Sequence, residues 1–183
     1  MLEKQVIFFL LIGIFFFAIK VSYARREKSS HKWRKKSSLK MLEKIDTFAP
    51  QQVFAYIRKI DPFVFEEAIL SALEKREDIQ VIRNKRYTGD GGIDGIFFIK
   101  IQTEEGVIIN KKCLIQAKRY KSFVNSSHIE DFNQKILNEE AHLGLFVHSG
   151  KTRKSSLSEN KHSEHLKIIS GDKLIKLLKH GAF

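Results

Sequence analysis

Asp94 stands at the end of a glycine-rich turn, Gly89-Asp90-Gly91-Gly92-Ile93-Asp94. Farther along, Gln116 and Lys118 lie two apart in the run Leu114-Ile115-Gln116-Ala117-Lys118-Arg119-Tyr120. Side chains at i and i+2 of a strand point to one face. Gln116 and Lys118 then face the same way, and a hairpin returns them to Asp94. A carboxylate, a second oxygen ligand and a fixed ammonium are what phosphodiester hydrolysis with a divalent cation requires. The cation makes a water nucleophilic and offsets the charge that gathers on the leaving oxygen. Mg2+, or Mn2+ in its place, takes one or two carboxylates together with phosphate oxygens. Asp94 suits the principal ligand. Gln116 and nearby backbone carbonyls suit further oxygens, and Glu66 a carboxylate arriving from a preceding helix. Lys118 suits orientation of the attacking water.

Each piece alone has a plainer reading. Gly-Asp-Gly-Gly is a turn, and Gln-x-Lys is a solvated strand face. In this order, after a helix glutamate, they are far more specific. Gly91 and Gly92 permit positive φ and close approach of backbone to phosphate. Lys151, Thr152 and Arg153 follow an apolar strand and precede a helix, a place suited to phosphate. Arg119 and Lys121 continue the Lys118 strand, as phosphate contacts or as solvated charges. His148 ends a strand near the expected site, where a structural role is the simpler one. His162 and His165 have helical spacing for zinc but no third ligand. Cys113 is the one cysteine, which excludes an intrachain disulfide framework and fits a reducing compartment.

Positioning these groups takes an α/β domain. The 183 residues and 43% hydrophobic content suit one modest domain with extra segments. Pro62 opens a helix whose apolar positions Phe65, Ala68, Ile69, Ala72 and Leu73 face a core. On that helix Glu66, rather than Glu67, is expected to point at the apolar interior. Strands are expected over 79–83, 96–102, 107–109, 113–118, 143–148 and 166–169. Helices are expected over 128–141, capped by Ser126 or Ser127, over a short stretch after Lys154, and over 172–179. Two helical pieces broken near Pro50 cover 39–60. The strand Leu143–His148 lacks alternation, as in a sheet covered on both faces.

Formal charge is +12, unevenly spread: residues 1–40 hold ten Lys/Arg against two acids, and residues 41–183 hold 23 against 19. The basicity belongs to the amino-terminal tail and is weak evidence for nucleic acid. Val6–Ile19 is almost continuously apolar, and Arg25, Arg26 and Lys28 follow. The expectation is a transmembrane anchor over 1–24, with a basic linker and helical lead-in over 25–60. The positive-inside rule puts the carboxyl side in the cytoplasm, giving a single-pass protein of the inner (cytoplasmic) membrane. A cleaved signal peptide and a buried core helix are the rival readings of the apolar run.

The motifs around Glu66, Gly89–Asp94 and Ile115–Tyr120 resemble the Mrr-type catalytic domain. That domain is a branch of the PD-(D/E)XK nuclease superfamily, related to type IV restriction endonucleases. The similarity continues through Gly144–Thr152 and Ile168–Asp172 and covers roughly 61–180. It implies that Asp94 is the metal-binding aspartate, and that Gln116 is the glutamine with which this branch replaces the usual acid. Lys118 is then the catalytic lysine and Glu66 the helix glutamate. The implied fold is a restriction-endonuclease-like sandwich, a central four-stranded mixed sheet flanked by helices, over 61–183. The implied activity is Mg2+-dependent endonucleolytic cleavage of DNA, of the restriction or DNA-defence type. A non-catalytic DNA-binding or assembly module, a junction-resolvase-like nuclease and a membrane-surface interaction protein are the alternatives. A homodimer is left open.

Overall fold

Asp61 and Pro62 start the helix that carries Glu66. The Asp61 carboxylate accepts from the backbone N–H of Phe63 (2.9 Å) and Val64 (3.3 Å), and Pro62 takes the first helical position. The computed structural model describes residues 2–83, 92–152 and 164–183. Its helices are α1 (Leu2–Thr47), α2 (Pro50–Ile57), α3 (Pro62–Leu73), α4 (Ser126–Asn138) and α5 (Gly171–His180). Its strands are β1 (Ile79–Ile82), β2 (Gly95–Gln102), β3 (Ile108–Lys118), β4 (Leu143–His148) and β5 (Leu166–Ile169).

The sheet has five strands in the order β1-β2-β3-β4-β5, not the four expected. The first three run antiparallel, and β3, β4 and β5 run parallel. β1 is a full member, because Ile79 to Ile82 pair in register with Ile99 to Ile96. The expected strands over 107–109 and 113–118 are one eleven-residue strand. The charged residues Lys111 and Lys112 between them sit on the less buried end of the ladder, where polar side chains are no obstacle to pairing.

Two cores sandwich the sheet. On one face, Met41 and Ile45 of α1, Phe65, Ile69 and Leu73 of α3, and Leu174 and Leu177 of α5 pack on Cys113, Ile115, Leu145 and Val147. On the other, Phe132 and Ile136 of α4 pack on Leu114, Phe146 and Ile168. Alternate residues of β3 therefore go to opposite cores, and all six residues of β4 are buried. Burying each Phe, Ile or Leu contributes about 1.5–3 kcal/mol. Gly144 lets α4 approach, since a Cβ there would lie 2.1 Å from Ile136 Cδ1. Asn125, not Ser126 or Ser127, caps α4, its side chain accepting from the Ser127 N–H at 3.1 Å. The short helix expected after Lys154 falls on 153–163, outside the described residues.

The amino-terminal expectation needs correction. Helix α1 runs unbroken from Leu2 to Thr47, through the segment read as an exposed linker. Among the described residues, no helix is long and apolar enough to cross a membrane. The fourteen-residue run Val6–Ile19 makes about 21 Å of helix, against a hydrocarbon core of about 30 Å. The transmembrane anchor, the membrane partner and the inner-membrane, single-pass placement are corrected on that finding. The carboxyl end of α1 belongs to the fold instead, with Met41, Leu42 and Ile45 buried against α3 and α5.

Candidate nuclease site

β3 supplies the floor of the site. The Asp94 N–H donates to the Ile115 carbonyl at 2.8 Å, and Asp94 Oδ2 accepts from the Ala117 N–H at 2.7 Å. Backbone and side chain of Asp94 are thus both tied to the strand, just before β2 begins. Gln116 lies between those two contacts, with 5% of its surface exposed. Its amide packs under the turn: a Cβ on Gly92 would lie 2.8 Å from Gln116 Nε2 and 2.8 Å from Lys135 Nζ. Gly92 also has φ +86°, so both space and backbone demand glycine there. Lys118 ends β3 opposite His148, and its carbonyl accepts from the Ser149 N–H at 3.2 Å. Tyr120 stacks on His128 and meets its Nδ1 at 2.5 Å, fixing the turn that follows.

Glu66 faces this cluster from α3. Burial, and next the negative charge of Asp94, push its carboxyl up to about 8, against the pull of Lys118 and Arg34. Glu66, Asp94 and Lys118 are therefore within electrostatic reach of one another. Glu67 differs from the expectation, for it is the more deeply buried of the two, at 1% exposure. Glu67, Ser71 and Glu74 form a polar stripe along α3. Arg83 lies along it, bonding Glu67 Oε1 at 2.6 Å, both Glu74 oxygens, and Ser71 Oγ at 3.4 Å. Burial works against the Arg83 charge, and Glu74 and Glu67 outweigh it.

The donor set fits a hard divalent cation. Gln116 Oε1 is buried and accepts no hydrogen bond among the described residues. A buried carbonyl oxygen in that condition is costly, and a cation beside Asp94 would satisfy it. Among the described residues no group of three or more His, Cys, Asp and Glu is placed to hold a metal. Here Asp94, Gln116 and Glu66 offer two carboxylates and an amide.

The candidate phosphate residues divide. Arg119 donates to the Arg58 carbonyl at 2.9 Å, closing the end of α2. Thr152 Oγ1 lies 3.1 Å from His148 Nε2 and 2.9 Å from Ser170 Oγ. Lys121 and Lys151 are exposed. Gly91 and Arg153 lie outside the described residues. His148 is wholly buried, which pushes its imidazole down to about 4, with a backbone contact from Gly150 working the other way. Burial pushes the Cys113 thiol up to about 12, which leaves it inert.

The parallel strands β3, β4 and β5 end on one edge, at Lys118, His148 and Ile169. Two hollows open along it. One, of about 520 Å3, is walled by Arg58, Lys59, Asp61, Arg119 and Lys121. The other, of about 730 Å3, shares Arg58 and Lys121 and extends to Phe123, Lys151 and Thr152. Sequence reading did not find Lys135 or Arg34. Both reach the site from helices distant along the chain, and neither stands in a motif.

A family model described as restriction endonuclease, Mrr_cat, matches residues 57–178. The type IV methyl-directed restriction enzyme EcoKMrr of Escherichia coli K12 is 27% identical over 144 residues, 75% of this chain and 44% of that protein. Two solved structures share the fold. The MspJI restriction endonuclease in complex with a 27-mer oligonucleotide has a TM-score of 0.56 at 18% identity, over 72% of this chain and 30% of that one. The DNA modification-dependent restriction endonuclease AspBHI has a TM-score of 0.53 at 20% identity, over 79% and 35%. The chain thus spans less than half the length of each.

Proposed function

From the premise that the chain belongs to the Mrr_cat restriction endonuclease family, we propose that it is a divalent-cation-dependent DNA endonuclease of the defence type. Residues 61–183 are its nuclease domain. The observation that carries this reading is the tie of Asp94 Oδ2 to the Ala117 N–H, next along β3 from Gln116, whose Oε1 is buried without a hydrogen bond among the described residues.

Asp94, Gln116 and Glu66 would hold the cation, Mg2+ or Mn2+. When bound, it supplies Lewis-acid polarisation of the phosphodiester and a water of lowered pKa. The protein's own groups do the rest. The Ala117 N–H fixes the Asp94 carboxylate, so that its charge is in place before substrate arrives. Lys118, at the open end of β3, orients the attacking water and offsets charge on the phosphate. Glu66 carries a proton at neutral pH until a cation displaces it, which follows from its raised pKa. DNA lies along the carboxyl edge of β3–β5, with its phosphates on Lys121, Lys151 and Thr152 and on the backbone at Gly92. Lys135 stands behind Gly92 as a further cation.

The test is cleavage of supercoiled plasmid, methylated and unmethylated, by the full chain. Cleavage with Mg2+ or Mn2+ that EDTA and Lys118→Ala both abolish supports the reading. A second reading has its own observation: two carboxylates and an amide are a lean set for a cation. Salt-sensitive DNA binding without cleavage in either metal would favour a DNA-binding module on the same fold.

A further inference from the structure

The larger hollow at the carboxyl edge, of about 730 Å3, has a lining that the hydrolytic groups do not use. Two aromatic rings, Phe54 of α2 and Phe123, share it with Arg58, Lys121 and Lys151, and no acid lines it among the described residues. Among the described residues outside α1, Phe123 is the one exposed Phe, Tyr or Trp, at 47%. Its backbone holds it in place. Phe123 bridges Lys151 as a parallel pair. The Lys151 N–H donates to the Ser122 carbonyl at 2.8 Å, and the Val124 N–H donates to the Lys151 carbonyl at 3.0 Å. Gly150 lets this loop close, since a Cβ there would lie 2.5 Å from the Ser122 carbonyl oxygen and 2.6 Å from Tyr120 Cβ. Val124 is buried in the α4 core. Successive side chains of extended backbone point opposite ways, so anchoring Val124 displays Phe123 at the surface. Ser149 joins the hollow to the nuclease site: it lines the one, and its N–H donates to the Lys118 carbonyl at 3.2 Å.

A fixed, exposed ring among cations suits a ligand that carries both a flat face and negative charge. A nucleotide has both. Bases inside a duplex stack on one another and hide their faces, whereas an unpaired base can lay its face on an aromatic side chain. The carboxylates of an acidic peptide would answer the cations but offer no flat face to the rings. We infer that this hollow seats an unpaired nucleotide of the bound DNA, its base on Phe123 and its flanking phosphates on Arg58, Lys121 and Lys151. The choice of DNA rests on the nuclease reading; the preference for an unpaired base is separate from cleavage and is measured without it.

The test is fluorescence anisotropy of the full chain in EDTA with two labelled probes of equal charge. One is a duplex with a five-thymidine overhang, and the other is the same duplex with an overhang of five abasic residues. The unaltered chain should bind the thymidine probe about tenfold more tightly. Phe123→Leu keeps apolar bulk and removes the ring. It should bring the thymidine probe down to the abasic one, with the abasic affinity and the urea midpoint unchanged. Phe123→Trp should retain the preference. The salt slope should be the same with and without the ring, because stacking releases no counterions. Equal affinity of the unaltered chain for the two probes, or equal weakening of both by Phe123→Leu, would overturn the inference. So would a glutamate octamer that displaces the thymidine probe as readily as an oligothymidylate of equal charge. Plasmid cleavage with Mg2+ or Mn2+ judges the nuclease reading separately. Cleavage without the thymidine preference sinks this inference alone, and the preference without cleavage sinks the nuclease reading alone.

Discussion

Helix α3 presents two neighbouring carboxylates to two different surroundings. Glu67 is sealed with Arg83, Glu74 and Ser71 at 1% exposure, its charge matched by a guanidinium on the spot. Glu66 meets Asp94 instead, another carboxylate, and its carboxyl rises to about 8. In the first cluster Arg83 bonds both carboxylates and holds the end of β1 against α3, although Glu67 Oε2 is buried without a hydrogen bond among the described residues. The second gathers two carboxylates, with Lys118 and Arg34 acting on Glu66 at a distance, beside a Gln116 carbonyl oxygen that is buried without a hydrogen bond among the described residues. A structural ion pair and a candidate cation site can thus differ by one position along a helix. What separates them is the nearest partner: a guanidinium bonded to Glu67, and burial with a second carboxylate acting on Glu66.

The largest expected effect comes from breaking the first cluster. Arg83→Ala leaves Glu67 buried without its partner and should cost about 3–5 kcal/mol, read from the urea midpoint. A loss close to that of a surface substitution would erase the contrast. In the second cluster, Asp94→Asn and Lys118→Ala should each lower cleavage by about 10²–10³-fold with only small changes in folding stability. Measuring rate and unfolding on the same samples separates the two kinds of damage.

The pH dependence of stability differs between the regions too. His148 has a folded value of about 4, below the ordinary 6.5, because burial disfavours its charge. The unfolded chain binds the proton more readily, so this contribution is present above about 6.5 and is lost as pH falls through about 4. It amounts to roughly 3 kcal/mol, and His148→Gln should flatten the acid limb of the stability profile. Glu66 has the opposite sign. Its folded value is raised above 4.5, so stability falls as pH rises from about 4.5 through about 8. Glu66→Gln should remove that slope. The smallest expected effect is at the strand edge: Lys121→Ala and Lys151→Ala should each reduce the salt slope of DNA binding by about one.

The sequence made the second cluster legible and left the first one hidden. Asp94, Gln116 and Lys118 sit in short motifs, and the two-residue period of a strand puts Gln116 and Lys118 on one face. Asp61 and Pro62 mark the start of α3 by local chemistry alone, and the unbroken apolar run of β4 announces a strand covered on both faces. The Glu67–Arg83 pair has no such signal, because it depends on how β1 meets α3. Counting apolar neighbours on α3 therefore gave Glu66 the inward place that a buried Arg83 allows Glu67 to occupy. The same limit explains Arg34 and Lys135, which arrive from α1 and α4. It explains β3 as well, expected as two strands over 107–109 and 113–118 where the ladder runs unbroken. The apolar run near the amino terminus carried a strong local signal and still misled, since span length is decided by the whole helix.

The proposed nuclease requires a divalent cation held by Asp94 and Gln116. Crystals of the full chain soaked in Mn2+ and measured at the manganese edge would locate it directly. An anomalous peak in contact with the Asp94 carboxylate and Gln116 Oε1 is expected. A saturated crystal with no peak there, and Gln116 Oε1 bonded to another protein group, would contradict it.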